Sequence, residues 1–204
     1  MDSKNNILSE KNSTRRLMFV LMVSFWIGEI IGTAVFCGNI NDEALLIEKF
    51  FYNRFELTFG QAVINSFAGV AGLVVICAVL GMGAFFHFAE FSVPLFYGLG
   101  SGILLAEFNY SYGIKGMMLG YLIIVPYIVV SAMIVVVAAR EAVSMSNVML
   151  NNLIGRKDFR KINLELYITK YIILLMILFV SALADGAMNY FVLRLWLSVL
   201  GISE

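Results

Sequence analysis

Residues 91–139 read FSVPLFYGLGSGILLAEFNYSYGIKGMMLGYLIIVPYIVVSAMIVVVAA, and the way this stretch divides decides the fold. Pro94, Gly98, Gly100 and Gly102 open it. A polar, aromatic patch follows, then Gly113, Gly116, Gly120 and Pro126, and an apolar run closes it. We read a short membrane helix over 91–106, a turn over 107–115 and a long membrane helix over 116–139. Gly98 and Gly102 are four apart, as are Gly116 and Gly120, so each pair shares one helix face. In lipid, such faces let two backbones approach closely and drive helix packing. At 1.5 Å per residue the short helix is about 24 Å long, less than the ~30 Å hydrocarbon core. It therefore either tilts the bilayer locally or lies as a re-entrant hairpin with the helix before it.

Composition places the rest of the chain in the same environment. Of 204 residues, 61% are hydrophobic and only 14% charged, with a mean hydropathy of +0.89. A soluble domain of this size needs far more polar surface to cover itself. The expectation is an all-α, polytopic membrane bundle forming a single domain over residues 1–204. Spans are expected at 17–37, 62–86, 91–106, 116–139 and 171–193. No basic face with interleaved aromatics points to nucleic acid. Cys37 and Cys77 have no metal or redox spacing and read as small buried hydrophobes.

The first span carries a further glycine pair, Gly28 and Gly32, with Glu29 between them. Residues 38–61 mix acids and bases with Ile47, Phe50, Phe51 and Phe55 at helical spacing. They read either as a short amphipathic helix on the membrane or as a solvated loop with an apolar side. The fourth span continues past the membrane with one apolar side and stops at Gly155. Arg156, Lys157, Arg160 and Lys161 cluster beyond it.

Cation placement gives an orientation. With five spans, Lys4, Lys11, Arg15, Arg16, Arg140, Arg156, Lys157, Arg160, Lys161 and Lys170 fall on one side. Lys49, Arg54, Lys115 and Arg194 fall on the other. Cytoplasmic loops carry the excess of Lys and Arg, so the expectation is a cytoplasmic N-terminus and an extracytoplasmic C-terminus.

Three polar residues within the spans need an account: Glu29, Asp185 and Asn189. A carboxylate at a helix centre costs about 2.5–3.5 kcal/mol on insertion scales, so it faces the bundle. Glu29 and Asp185 stand about 18 Å and about 21 Å from the inner ends of their helices. They form one outward-opening polar cluster with Asn189, or each is hydrogen-bonded separately as interhelical glue. His87 and Glu90, three apart on a short inner turn, read either as a proton-handling pair or, the plainer account, as interfacial residues that end the second span. No nucleophile–base, metal-ligand or phosphate-cradling motif occurs. The reading is therefore non-enzymatic, without cofactor or metal.

The run FYGLGSGILLAEFNYSYGIKGMMLGYLIIVPYIVVSAMIVVVAAREAVSMS resembles the stage II sporulation protein M family of bacterial membrane proteins. The likeness rests on Gly98, Gly102, Gly113, Gly116 and Pro126 in order. The segment LLMILFVSALADGAMNYFVLRLW is similar to that family's last helix, with Asp185 where a glutamate is usual. Tyr127, Ile128 and Ser131 depart from the family's His-Gly and following acid. Asn189 and Tyr190 lie where a proline is common. The resemblance implies a multi-pass protein of the bacterial cytoplasmic membrane, acting in engulfment during endospore formation. It implies a non-catalytic scaffold that recruits peptidoglycan hydrolases of the stage II sporulation protein P and D type. Further contacts would be with the lipid bilayer and, in a homo-oligomer, with a second copy. The alternative is a transporter or permease subunit with an intramembrane acidic site at Glu29 and Asp185.

Overall fold

A computed structural model describes residues 2–38, 58–154, 163–188 and 190. The described residues are almost wholly helical and contain no strand. The elements are α1 (Asp2–Gly38), α2 (Phe59–Gly81), a 3-10 turn (Phe86–Phe91), α3 (Ser92–Leu153) and α4 (Leu164–Ala187). The 38–61 reading falls largely on 39–57, outside the described residues. So do the basic cluster at 156–161, Asn189 and Arg194.

The largest difference from expectation lies in α3. Helical hydrogen bonding runs unbroken from Ser92 to Leu153, through the 107–115 stretch read above as a turn. Yet the hydroxyls of Tyr97 and Ser131, 34 residues apart, are hydrogen-bonded. A straight helix would hold them about 51 Å apart. α3 therefore folds back on itself between them, and is a helical hairpin whose reversal is itself wound as helix. Its first limb reaches at least from Ser92 to Ala106. Its second limb runs from Ile124 to Leu153, passing through Pro126. With the two limbs counted apart, five helices are long and apolar enough to cross a membrane.

The second limb is the centre of the bundle. Its apolar window is 67% buried, against 22% in α1, 28% in α2 and 22% in α4. Val135, Val136, Ala138, Ala139 and Ala142 are all but inaccessible. Their small volume brings neighbouring helices close. A side chain on Gly81 of α2 would overlap Ala142 and the Tyr167 hydroxyl. The outer faces of α1, α2 and α4 expose Phe19, Trp26, Ile30, Ile64, Val79, Ile172, Met176 and Val180. An apolar surface of that extent is covered by lipid.

Contacts fix the directions of the helices. Ser24 on α1 donates to the Phe91 carbonyl at 2.9 Å, and Thr33 donates to the Gly102 carbonyl at 3.4 Å. α1 therefore runs parallel to the first limb. Ser66 on α2 meets Asp185 on α4, and Ala78 meets Tyr167, so α2 and α4 are antiparallel. One end of the bundle gathers Met18, the 3-10 turn, Arg140 and Lys170. The other gathers Val63, Ser66, Tyr127 and Asp185.

Helix boundaries follow from local chemistry. The Thr58 N–H donates to Gln61 Oε1 at 3.0 Å and starts α2 three residues earlier than expected. α2 ends at Gly81, not near residue 86. Asn163 Oδ1 accepts the Leu166 N–H at 3.1 Å, so α4 begins at Leu164, before the expected residue 171.

Candidate functional site

Two features stand out: a glycine seam that locks α1 to the hairpin, and a polar strip that joins α4, α2 and both limbs of α3. The seam comes first because it positions the strip. Gly28 and Gly32 lie against the Leu95 and Leu99 carbonyls, and Gly98 and Gly102 lie against the Phe25 and Glu29 carbonyls. A Cβ on any of the four would overlap the facing oxygen. The hydrogen that stands in place of that Cβ therefore points at a carbonyl, reciprocally along both helices. Such Cα–H···O contacts are worth about 0.5–1 kcal/mol each. Gly116 and Gly120 belong to the helical backbone of α3, within the stretch whose side-chain surroundings lie outside the described residues.

The strip starts at Asp185, which is only 3% exposed. Its Oδ2 accepts the Ser66 hydroxyl at 2.6 Å. The Ser66 carbonyl in turn accepts the Tyr127 hydroxyl. The Tyr127 carbonyl accepts Ser131 Oγ at 2.6 Å, and Ser131 Oγ is bonded to the Tyr97 hydroxyl. The Tyr97 ring stacks on Phe25 of α1 at 6.0 Å between centroids. α4, α2, both limbs of α3 and α1 are thus joined in one chain of contacts. In a medium without water, such bonds satisfy groups that would otherwise be orphaned.

A hollow lies on each side of this strip. The larger, of about 230 Å³, opens between α2 and the hairpin. Ser66, Tyr97, Ser101 and Tyr127 form its polar part, and Gly69, Gly72, Leu73, Ile76, Phe96 and Leu104 its apolar walls. Gly72 has open space where a side chain would stand. The smaller, of about 140 Å³, lies between Pro126, Tyr127, Val130, Ser181, Ala184, Asp185 and Met188.

Glu29 and Asp185 stand on different seams. Glu29 is half-buried on α1, with its backbone against Gly98 and Gly102 and its carbonyl accepting Thr33 Oγ1 at 2.9 Å. Asp185 belongs to the α2–α4 seam. Pro126 lines the smaller hollow. Three partners in the strip, Ser66, Tyr97 and Tyr127, carry no signal in a hydropathy scan. The available hint was Tyr127 and Ser131 four apart on one helix face, at the positions that depart from the sporulation family's pattern.

At the opposite end, Glu141 is bonded by Lys170 Nζ at 2.5 Å and by Arg140. This ties the second limb to α4. Glu90 is wholly buried in the 3-10 turn, so its side chain faces the bundle, and it does not end the second span, whose helix stops at Gly81. Among the described residues no three His, Cys, Asp or Glu side chains group as metal ligands. Compared with known proteins, the chain matches no family model, no curated protein and no solved structure.

Proposed function

We propose that this chain is a non-catalytic scaffold of the bacterial cytoplasmic membrane, seating the apolar membrane anchor of a cell-wall hydrolase. The observation that carries the reading is the cleft of about 230 Å³ between α2 and the hairpin. It is walled by residues of the lipid-facing spans and edged by small ones, Ala68, Gly69 and Gly72. Small residues are what a second helix needs for close approach in lipid. The glycine seam and the polar strip hold the cleft's walls at fixed spacing, as a docking platform requires. The sequence likeness to the stage II sporulation protein M family supplies the partner class: peptidoglycan hydrolases of the stage II sporulation protein P and D type, acting at engulfment. The Lys and Arg distribution supports a cytoplasmic N-terminus, with the Asp185 end of the bundle toward the wall.

The test is capture. Co-expressed with hydrolases of these two types, the purified chain should retain them in mild detergent. Gly72→Leu places its Cβ in open space on the wall of the cleft, and should abolish retention while the bundle stays folded. Equal retention by wild type and Gly72→Leu would remove the cleft as the docking surface. Loss of all retention by wild type would remove the scaffold reading.

A second reading is a transporter subunit, and the buried bond between Asp185 and Ser66 favours it. Ionisable residues inside spans often mark solute or proton paths. Solute flux into proteoliposomes that Asp185→Asn abolishes would favour this reading over the scaffold.

A further inference from the structure

The Arg140 end of the bundle holds a group that neither reading uses. Glu90 sits in the Phe86–Phe91 turn with 0% exposure. Both its carboxylate oxygens are buried and have no hydrogen-bond partner among the described residues. Two cations near this end, Arg140 and Lys170, both bond Glu141, and Arg15 and Arg16 of α1 are exposed to solvent. Within electrostatic reach of Glu90 are Cys77 on α2 and Tyr167 and Tyr171 on α4. Neither tyrosine serves it: Tyr167 donates to the Ala78 carbonyl at 3.0 Å, and Tyr171 to the Ala138 carbonyl at 2.7 Å. α1 contributes Ser24, whose hydroxyl is given to the Phe91 carbonyl, and from α3 Ser92 donates to the Ala89 carbonyl.

An ionised carboxylate without a partner is not sustained in such a place. Bulk water does not relieve it, because Glu90 has no exposed surface, and the flanks of the turn are apolar: Phe85 is 75% and Phe88 77% exposed. A metal cation would need a shell of oxygens, and the described neighbours are one thiol and two phenols already bonded to carbonyls. The ligand that fits is a proton. We propose that Glu90 is a proton-binding site whose occupancy keeps the Phe86–Phe91 turn seated in the bundle. The bound proton makes the side chain a neutral acid that packs beside Cys77. Loss of the proton leaves a charge that the apolar surroundings reject, and the turn lifts, uncovering the end of α2. The inference is independent of the scaffold reading, since it concerns the opposite end from the Asp185 strip.

Infrared difference spectra of wild type minus Glu90→Gln, in bilayers near neutral pH, test the protonation. The expected difference is the carbonyl stretch of one protonated carboxylic acid. Carboxylate bands in its place overturn the proposal. Should Glu90→Gln fail to accumulate, an apolar carbodiimide decides on wild-type protein, because only a protonated acid adds to it. An adduct mapped to Glu90, with none on ion-paired Glu141, supports the site. An adduct on other acids but not on Glu90 overturns it. The seating of the turn is read by Cys77, which is wholly buried, in a Cys37→Ser background. In alkaline buffer Cys77 should react with a thiol reagent several-fold faster in wild type than in Glu90→Gln, and equally in mildly acidic buffer. Equal rates in both buffers overturn the coupling to the turn.

Discussion

Ser66 Oγ lies 2.6 Å from Asp185 Oδ2, a buried hydroxyl-to-carboxylate bond joining residues 119 apart in the chain. It spans the contact between α2 and α4, two helices that present mostly lipid-facing surface. Neither helix has much buried apolar area with which to hold the other. In a membrane there is also no hydrophobic drive between helices, because lipid tails are as apolar as leucine. Direct bonds and close packing therefore decide how α2 and α4 sit. Gly186, next to Asp185, meets Val63 where a Cβ would stand. The bond and the close approach occur at the same level of the bundle.

Ser66→Ala removes the donor and should cost about 0.6–1.7 kcal/mol, between the average and the maximum found by double-mutant cycles for interhelical bonds in a membrane protein. Asp185→Ala should cost more, because it also opens a hole beside the smaller hollow. Asp185→Asn keeps an acceptor for Ser66 and should be the mildest of the three. Reversible unfolding in mixed micelles ranks them. A null effect for Ser66→Ala would mean that the bond contributes nothing to the fold.

The glycine seam yields a contrast between positions of the same residue type. Gly98→Leu forces a side chain into the Phe25 carbonyl, and Gly28→Leu into the Leu95 carbonyl. Backbone atoms in helices cannot give way as a flexible side chain can. Each change should cost about 1–3 kcal/mol or more, and should raise hydrogen exchange along α1 selectively. At Gly60 an added Cβ meets nothing within 4 Å, and Gly60→Leu should fall within about 0.5 kcal/mol of wild type. Equal losses at Gly60 and Gly98 would show that the seam is not a close contact.

The bundle itself was legible in residue order, because twenty-residue apolar runs and glycines four apart are periodic signals that lipid makes strong. The unbroken helix over the hairpin's reversal was not. Asn109, Tyr110, Ser111 and Tyr112 look like a turn by composition, yet none of them stops a helix as proline does. The inward setting of Glu90 is hidden from residue order for a related reason. A hydropathy run ends where an acid appears, whether that acid faces water or is folded inward by a 3-10 turn. Serine and tyrosine hydroxyls sit near neutral on such scales, so the Asp185 strip was visible only at its acid. The likeness to the stage II sporulation protein M family covered the glycines of the hairpin. At Tyr127 and Ser131, which carry the strip across the second limb, the chain departs from that pattern, so the likeness assigned them no role.

The two ends of the bundle should label from opposite sides of the membrane. Single cysteines at Met82 and Ile154, both exposed at the Arg140 end, should react with a membrane-impermeant thiol reagent only from the cytoplasm. A cysteine at Thr58, at the opposite end, should react only from outside. The native Cys37 is exposed and should follow Thr58, with Cys77 replaced by serine to silence the core. Labelling of positions 82 and 58 from one side would require an even number of crossings between them, and would break the five-span arrangement.

The hairpin within α3 is tested by coupling, not by structure alone. Tyr97→Phe and Ser131→Ala each remove one side of the hydroxyl pair. If the limbs fold back as described, the two losses are not additive, and the double-mutant cycle should return a coupling of about 0.6–1.7 kcal/mol. Were the 62-residue element a straight rod, these side chains would be about 51 Å apart, and the coupling would vanish. Ser131→Ala also removes the bond to the Tyr127 carbonyl, so its single effect should exceed that of Tyr97→Phe. That asymmetry separates a hairpin joined through the polar strip from one held by apolar packing alone, in which the two variants would behave alike.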